Sequence, residues 1–380
     1  MQLKKSLLCL AATVLVGGAL ASCGPKPAQD SYEIAVVTDV GQLNDGGFNQ
    51  GTYEGAKAYA EANSKTYKYY QPANGADATD ADRVAAMNMA VENGAKVIVT
   101  PGFLQEGAIR EVASAHPEVK FLFVDGYPVT KKDSKEVLPN VHGIAYKEHQ
   151  SAYFAGYGAV MEGYTKLGGT FGGGGTNPAC NRFAYGYVQG AIAGAKAKED
   201  TALDIKISFK YGGSFGASTE LQGQIGGWYG AGTEVVFSCG GSMVDSVIAA
   251  AKANGNKAVI GVDTDQSKLY TNLITSATKG LAKSVQVVLG QYYDGKWDTE
   301  LAGKSQSLGI ESDAIGLPTA TTSWRFQNWT VEEYNTLYTA VKADPSGIKD
   351  DVPANADVED FWSELTGDSG NSSWTVALEK

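Results

Sequence analysis

Cysteine and histidine are scarce in this sequence of 380 residues, which contains four cysteines and three histidines. His116, His142 and His149 do not stand at metal-ligand spacing with the cysteines, so we expect no metal site. Cys180 and Cys239 are the two cysteines beyond the N-terminal region. They either pair in an oxidising compartment or remain as two small buried thiols.

Clusters of basic residues are also missing. The chain has 31 Lys and Arg against 42 Asp and Glu, and its net charge is −11. Nucleic-acid affinity depends on a basic surface, so the composition argues against a nucleic-acid partner.

Enzyme motifs are absent as well. The chain has no Gly-Lys-Ser/Thr phosphate loop and no nucleophile motif with a plausible histidine partner. The glycine run 172–175 places Asn177 or Pro178 where a dinucleotide loop needs its third glycine. The sequence therefore disfavours a hydrolase or phosphorylase, and it predicts no cofactor.

Long apolar runs are confined to the N-terminus. Residues 1–22 contain Lys4 and Lys5, then an apolar run, and end in Leu-Ala-Ser before Cys23. This pattern is typical of a secretory signal, and Leu-Ala-Ser-Cys matches the bacterial lipobox, whose cysteine is lipidated. An ordinary signal cut at a small residue is the alternative. We expect an extracytoplasmic protein that Cys23 anchors to the cell membrane through the polar tether 23–31.

Short apolar runs alternate with helix-like segments along the body of the chain. The predicted strands are Ile34–Thr38, Val97–Thr100, Phe121–Val124, Ile205–Phe209, Val235–Cys239 and Ala258–Val262. The predicted helices include Phe48–Ala62, Arg83–Glu92, Ala108–Ala115 and Met243–Ala253. This alternation over about 330 residues predicts an α/β protein with two doubly wound parallel sheets.

Acidic and glycine residues follow several predicted strands. Asp39 opens a polar loop that leads to Phe48, while Asp125, Gly241 and Asp263 stand just after three later strands. Ligands of open parallel sheets bind at the carboxyl ends of the strands. Each Asp alone is equally well explained as a helix cap, and Phe48 alone as a core residue. Together they favour a ligand cleft, because carboxylates accept hydrogen bonds from hydroxyl groups and ring N–H groups.

Longer segments resemble one protein family. VTDVGQLNDGGFNQGTYEGAKAYA resembles the opening motif of the basic membrane protein family of ABC transporter substrate-binding lipoproteins, also called the purine nucleoside receptor A-like family. Further similar segments follow in order: VTPGFLQEGAIREVASAHPEVKFLFVDG, HGIAYKEHQSAYFAGYGAVM, GYVQGAIAGAKA, and VIGVDTDQ with LITSATKG. They extend from about residue 33 to 290.

The resemblance implies a type I periplasmic-binding-protein fold, in which two parallel-sheet lobes close on a solute. We expect three hinge crossings, near 143–147, 268–272 and 308–316. Lobe 1 is expected to contain 32–145 and 272–310, and lobe 2 is expected to contain 146–271 and 311–330. Residues 331–380, with a helix-like run from Val331 to Ala343, are expected to form a C-terminal tail that packs on the body.

The resemblance also implies a nucleoside clamped between two aromatic rings. Phe48 matches the ring of the first lobe; Tyr187 matches that of the second, with Phe183 as the alternative. The other matching positions are Asp39, Asp45 and Asn49 near the base and Asp125, Gly241, Asp263 and Lys279 near the ribose hydroxyls. Lys279 also fits an ordinary surface lysine.

The resemblance implies a monomer that captures a nucleoside, of the purine class, for the permease and ATPase subunits of an ABC importer. The sequence departs from the family in the second lobe: at Tyr187, in the glycine run, and in the segment 211–218, which lacks Asp-Pro-Ala after its phenylalanine. A riboflavin-binding member of the family therefore stays open. A surface antigen or adhesin without a transport role is the alternative from another class.

Overall fold

The computed structural model describes residues 31–40, 42–173, 175–198, 203–350 and 352, together with the backbone of 374–379. The predicted signal peptide and Cys23 lie outside the described residues, as does most of the segment between the tail helix and the last strand.

The first lobe is built on a sheet of six parallel strands. In chain order its strands are β1 (Ile34–Val37), β2 (Tyr67–Tyr70), β3 (Val97–Pro101), β4 (Lys120–Val124), β5 (Val141–Tyr146) and β11 (Ser305–Leu308). Their order across the sheet is β11-β5-β4-β3-β1-β2. The helices of this lobe are α1 (Phe48–Ala62), α2 (Asp80–Glu92), α3 (Glu106–Ala115) and α8 (Leu281–Tyr293). The central strands are buried along their length, which explains their continuous apolar runs.

The second lobe is built on a sheet of seven strands. They are β6 (Lys166–Phe171), β7 (Leu203–Tyr211), β8 (Val235–Cys239), β9 (Ala258–Asp263), β10 (Leu273–Lys279), β12 (Ile315–Gly316) and β13 (Trp374–Glu379). The order is β12-β10-β9-β8-β6-β7-β13, and β12 alone among these strands is antiparallel to its neighbour. The helices are α4 (Glu148–Glu162), α5 (Pro178–Ala197), α6 (Thr219–Gly230), α7 (Met243–Ala253) and α9 (Val331–Ala343).

Local sequence explains where several helices begin. The Asn177 side chain accepts a hydrogen bond from the Cys180 N–H, and Pro178 occupies the first turn of α5. Thr79 and Thr330 form reciprocal capping boxes at α2 and α9. Among the described helices, none combines the length and apolar character that crossing a bilayer requires.

The chain passes between the sheets three times: between β5 and α4, between β10 and α8, and between β11 and β12. The second passage differs from the sequence expectation, which assigned 272–310 to the first lobe. Strand β10 pairs with β9 from Leu273 to Thr278, so residues 273–279 belong to the second sheet. Its second half, Thr275–Lys279, is rich in hydroxyl side chains, so the sequence has no continuous apolar run here although the strand is buried.

The C-terminal region joins the second lobe. Tyr334 of α9 is buried against Phe154 of α4, with the ring centres 5.4 Å apart. Strand β13 extends the second sheet in parallel beside β7. In the described part of the tail, α9 thus contributes to the core of this lobe.

Candidate functional site

Two aspartates end their strands in an unusual backbone conformation. Asp125, directly after β4, has φ 60°, and Asp263, the last residue of β9, has φ 67°. Asp is one of the few residues besides glycine that adopts this left-handed region with any frequency. Such conformations persist where the surrounding structure enforces them, and they concentrate at functional sites. Both carboxylates turn toward the same side chain, Lys279.

Lys279, at the end of β10, collects three carboxylates around its ammonium group. Its Nζ lies 2.7 Å from Asp125, 3.4 Å from Asp263 and 3.6 Å from Glu148. Asp125 belongs to the first lobe, and the other three residues belong to the second. The lysine side chain is only 2% exposed, so this charge cluster is a buried junction between the lobes.

Aromatic rings from both lobes surround the same ammonium. The Lys279 Nζ lies 4.7 Å from the ring centre of Phe48, at the start of α1, and 5.3 Å from that of Phe183, in the second turn of α5. The ring of Tyr146, at the end of β5, is 5.4 Å away. These distances are typical of cation–π contacts. A ring from each lobe therefore faces one point in the interlobe gap.

Tyr187 is not at this point, although the resemblance placed the second ring there. Its side chain is fully buried in the core of the second lobe, with its ring centre 5.1 Å from that of Phe237. Tyr187 lies one helical turn beyond Phe183 on α5, and that turn carries it away from the carboxyl edge of the sheet. Phe183, the alternative, is the aromatic residue of α5 that lies beside Lys279.

Burial and mutual repulsion act strongly on the carboxylates. Burial raises the pKa of Asp125 to about 7; the Lys279 ammonium opposes this rise, and Glu148 and Asp263 add to it. The pKa of Asp263 is raised for the same reasons. Burial works against the charge of Lys279, but Asp125, Asp263 and Glu148 together raise its pKa well above the usual value. The lysine therefore stays charged at neutral pH, while Asp125 is close to its titration point.

Two members of the cluster were not found from the sequence. Glu148, the first residue of α4, is fully buried, and its Oε2 accepts a hydrogen bond from Arg182 Nε. Arg182 also donates to the Tyr127 hydroxyl of the first lobe at 3.4 Å. An acidic residue in the first turn of a helix is ordinarily a surface feature that favours the helix dipole, so Glu148 gave no separate signal.

The loop between β1 and α1 holds the remaining first-lobe positions. Asp45 accepts hydrogen bonds from the backbone N–H groups of Gly47, Asn49 and Gln50, so it caps α1. Burial raises its pKa to about 6 despite these bonds. Asn49 is buried, and its Oδ1 has no hydrogen-bond partner among the described residues. The amide of Asn49 is thus better placed than Asp45 to bind a ligand.

Asp39 and Gly241 lie further along the two sheet edges. Asp39 is buried against Gly102, which follows β3. Gly241 follows β8 with φ 41° and lies next to Phe215. Both are at carboxyl ends of strands, as the sequence predicted.

The two lobes also meet directly beside the site. The backbone oxygen of Gly46, in the first lobe, accepts hydrogen bonds from Thr264 Oγ1 at 2.8 Å and from Gln266 Nε2 at 3.1 Å. Within the described part of the chain, no group of His, Cys, Asp and Glu side chains is arranged to hold a metal ion. Cys180 and Cys239 are buried, and both are present as free thiols.

Two α/β lobes that bring buried polar groups and aromatic rings to one junction are suited to enclosing a small solute. The family model described as "ABC transporter substrate-binding protein PnrA-like" matches residues 32–346, so the chain belongs to this family. It is therefore a substrate-binding protein of an ABC transporter, works outside the cytoplasm with permease and ATPase subunits, and is not an enzyme.

Curated relatives align with most of the chain. The ABC transporter nucleoside-binding protein BmpA of Lactococcus lactis is 32% identical over 325 residues, which cover 78% of this chain and 87% of the relative. The CD4+ T-cell-stimulating antigen of Listeria monocytogenes is 28% identical, covering 83% of this chain and 91% of the relative.

Solved structures show the same fold. A solute-binding protein of an ABC transporter system from Aeropyrum pernix superposes with a TM-score of 0.63 at 20% identity, over 90% of this chain and 87% of the other. A lac repressor superposes with a TM-score of 0.52 at 14% identity, over 77% and 81% of the two chains. The type I periplasmic-binding-protein fold predicted from the sequence is confirmed.

Proposed function

We propose that this protein captures a nucleoside between its two lobes and passes it to an ABC importer. The observation that carries the proposal is the approach of Phe48 and Phe183, from opposite lobes, to the same Lys279 ammonium beside a cluster of carboxylates. A flat base stacks on such rings, and stacking contributes about 1–3 kcal/mol per base with little dependence on base identity.

The carboxylates suit the sugar of a nucleoside. Asp125 Oδ1 is buried and has no hydrogen-bond partner among the described residues, while Oδ2 accepts from Lys279. A ribose hydroxyl supplies the donor that Oδ1 needs, and leaving a buried acceptor unsatisfied costs about 1–3 kcal/mol. Asn49 offers a second unsatisfied acceptor beside Phe48, where a base edge would lie. The 32% identical relative named as nucleoside-binding supports the same ligand class.

Isothermal titration calorimetry against a panel of solutes tests the proposal. The panel contains adenosine, guanosine, inosine, uridine, riboflavin and ribose. We expect binding of at least one purine nucleoside and none of ribose, because ribose lacks the ring that stacks. Binding of riboflavin alone would replace the nucleoside with a flavin, and binding of ribose alone would contradict the two-ring site.

We further propose that the protein is anchored through lipid on Cys23, because Leu-Ala-Ser-Cys fits a lipobox. We also propose that it is a monomer. Cys23→Ser should move the protein from the membrane fraction to the soluble or secreted fraction, while Cys180→Ser should leave it with the membrane. Sedimentation of the unlipidated protein checks the monomer. A Cys23→Ser protein that stays with the membrane after a high-salt wash would contradict the anchor.

A further inference from the structure

Building on the proposed function, we propose that Glu148 is a positioning residue that holds the Lys279 ammonium at the lobe junction, ready for the ligand. Glu148 acts through Lys279 and through Arg182. It extends the site to the start of α4, beyond the strand-end loops that the sequence identified.

Glu148 is held in place from two sides. Its side chain is 0% exposed, and it stands in the first turn of α4, where the helix dipole favours a negative charge. Oε2 accepts the Arg182 hydrogen bond, whereas Oε1 has no hydrogen-bond partner among the described residues and lies 3.6 Å from Lys279 Nζ. A buried carboxylate with one oxygen anchored and the other facing an ammonium is suited to directing that ammonium.

The division between lobes explains why this position matters. The shortest contact of Lys279, to Asp125, crosses from the second lobe to the first, so it breaks when the lobes separate. Glu148 and Asp263 belong to the same lobe as Lys279, so their attraction remains in an open protein. An ammonium that is already placed when the lobes close avoids part of the ordering cost of binding.

Arg182 secures Glu148. Its Nε donates to Glu148, and its Nη1 reaches the Tyr127 hydroxyl at 3.4 Å. Arg182 stands next to Phe183 on α5, so one turn of this helix supplies both the ring and the anchor of the carboxylate. With every group ionised, the three carboxylates and two cations of the cluster have a net charge of −1, and loss of Glu148's charge would make it neutral.

Replacement of Glu148 with Gln tests the inference. We expect nucleoside affinity to weaken about tenfold, which corresponds to about 1.4 kcal/mol. We also expect the titration midpoint of Asp125, followed by the ¹³C shift of its carboxyl group, to fall by about one pH unit. The groups that face Asp125 are Lys279, Glu148, Asp263, Arg182 and the Tyr146 hydroxyl, and only the charge of Glu148 changes.

Two variants separate positioning from folding. Glu162→Gln alters a buried carboxylate at the other end of α4. This carboxylate accepts hydrogen bonds from the backbone N–H groups of Gln327 and Asn328. The variant should lower the melting temperature without changing either the affinity or the Asp125 midpoint. Glu148→Asp keeps the charge, so the midpoint should return most of the way to its wild-type value.

Glu148→Gln protein that keeps both the wild-type affinity and the wild-type Asp125 midpoint would overturn the inference. An unchanged affinity with a shifted midpoint would overturn it too, since Glu148 would then set charge without positioning a ligand group. The Asp125 titration is recorded on the nucleoside complex, because Asp125 faces Glu148 and Lys279 only when the lobes are closed. If wild-type protein binds no nucleoside, the proposed function fails, and NMR titration of the Lys279 ammonium, which shares its lobe with Glu148, still tests the coupling of Glu148 to the site.

Discussion

Phe183 and Tyr187 lie one turn apart on α5, but only Phe183 lies beside Lys279. We expect Phe183→Ala to weaken nucleoside binding about 10- to 100-fold, because one half of the stacking surface is lost. Phe48→Ala should have a similar effect from the opposite lobe. Calorimetry with the tightest nucleoside of the panel measures both.

Tyr187→Phe is the matched control for the ring variants. It removes a buried hydroxyl that has no hydrogen-bond partner among the described residues, so we expect unchanged affinity and equal or higher thermal stability. Normal binding by Phe183→Ala, together with a large loss of affinity in Tyr187→Leu, which removes the ring, would restore Tyr187 as the second ring.

Asp125 carries a pH prediction. Its pKa rises from 3.8 to about 7 on folding, so the folded protein binds more protons than the unfolded chain between these values. The contribution of Asp125 to stability therefore falls as the pH rises from about 4 to about 7. Asp125→Asn should remove this penalty and raise the melting temperature at pH 8, while it weakens nucleoside binding. Thermal scans at pH 5 and pH 8 test this; a lower melting temperature for Asp125→Asn at pH 8 would contradict it.

The sequence indicated many of the site positions one by one. Asp125, Asp263 and Lys279 are strand-end or family positions in the sequence, and the structure brings both carboxylates to the Lys279 ammonium. It could not show that Asp45 uses both oxygens to cap α1, or that Glu148 turns inward. Such features depend on the direction in which the first turn of a helix faces when the helix packs on other elements. The residue pattern of one sequence does not specify that direction.

Helices α4 and α5 pack unusually closely, and glycine makes this possible. A Cβ atom on Gly190 would overlap with the backbone oxygen of Tyr153, and one on Gly186 would overlap with that of His149. The approach matters to the site because α4 carries Glu148 and α5 carries Phe183. Gly190→Ala should therefore cost about 1–3 kcal/mol of stability through overpacking.

Gly223 provides the opposite case within one protein. It stands in α6, and apart from its chain neighbours and the adjacent backbone of its own helix, no described atom lies within 4 Å of its potential Cβ. Gly223→Ala should stabilise the protein by about 0.5–1 kcal/mol, because alanine is the better helix former. Chemical denaturation of both variants gives the comparison. If Gly190→Ala were as stable as wild type, the close packing of α4 on α5 would be contradicted.

Elements with strong apolar patterns were predictable, and edge elements were not. The bounds predicted for α1, α7 and β8 are those observed, and the run from Val331 to Ala343 is the helix α9. The edge strand β2, with the sequence YKYY, lacked a continuous apolar run because part of it faces solvent. The register of such strands depends on their neighbours more than on their own composition.

The presence of two sheets was predictable from the length of the chain and from its repeated alternation of strand-like and helix-like segments. The alternation of apolar runs and helix-like segments did not locate the second crossing, because β10 contains buried hydroxyl residues such as Thr275 and Ser276. This strand places Lys279 at its end, so its membership in the second sheet decides which residues move with the lysine when the lobes separate. The set of residues that moves with Lys279 during opening and closure is therefore fixed by the sheet to which this one strand belongs.

The contact of Thr264 with Gly46 links the lobes outside the charge cluster. Thr264→Val keeps the shape of the side chain and removes only the donor to the Gly46 oxygen, so closure should lose about 0.5–1.5 kcal/mol. We expect a nucleoside to dissociate about 2- to 10-fold faster, since the closed form holds it, with little change in the association rate. Thr100→Val is the control, because its hydroxyl donates to Leu122 within the first lobe. Surface plasmon resonance with immobilised protein measures the association and dissociation rates. Equal dissociation rates for Thr264→Val and Thr100→Val would show that this contact does not hold the lobes together.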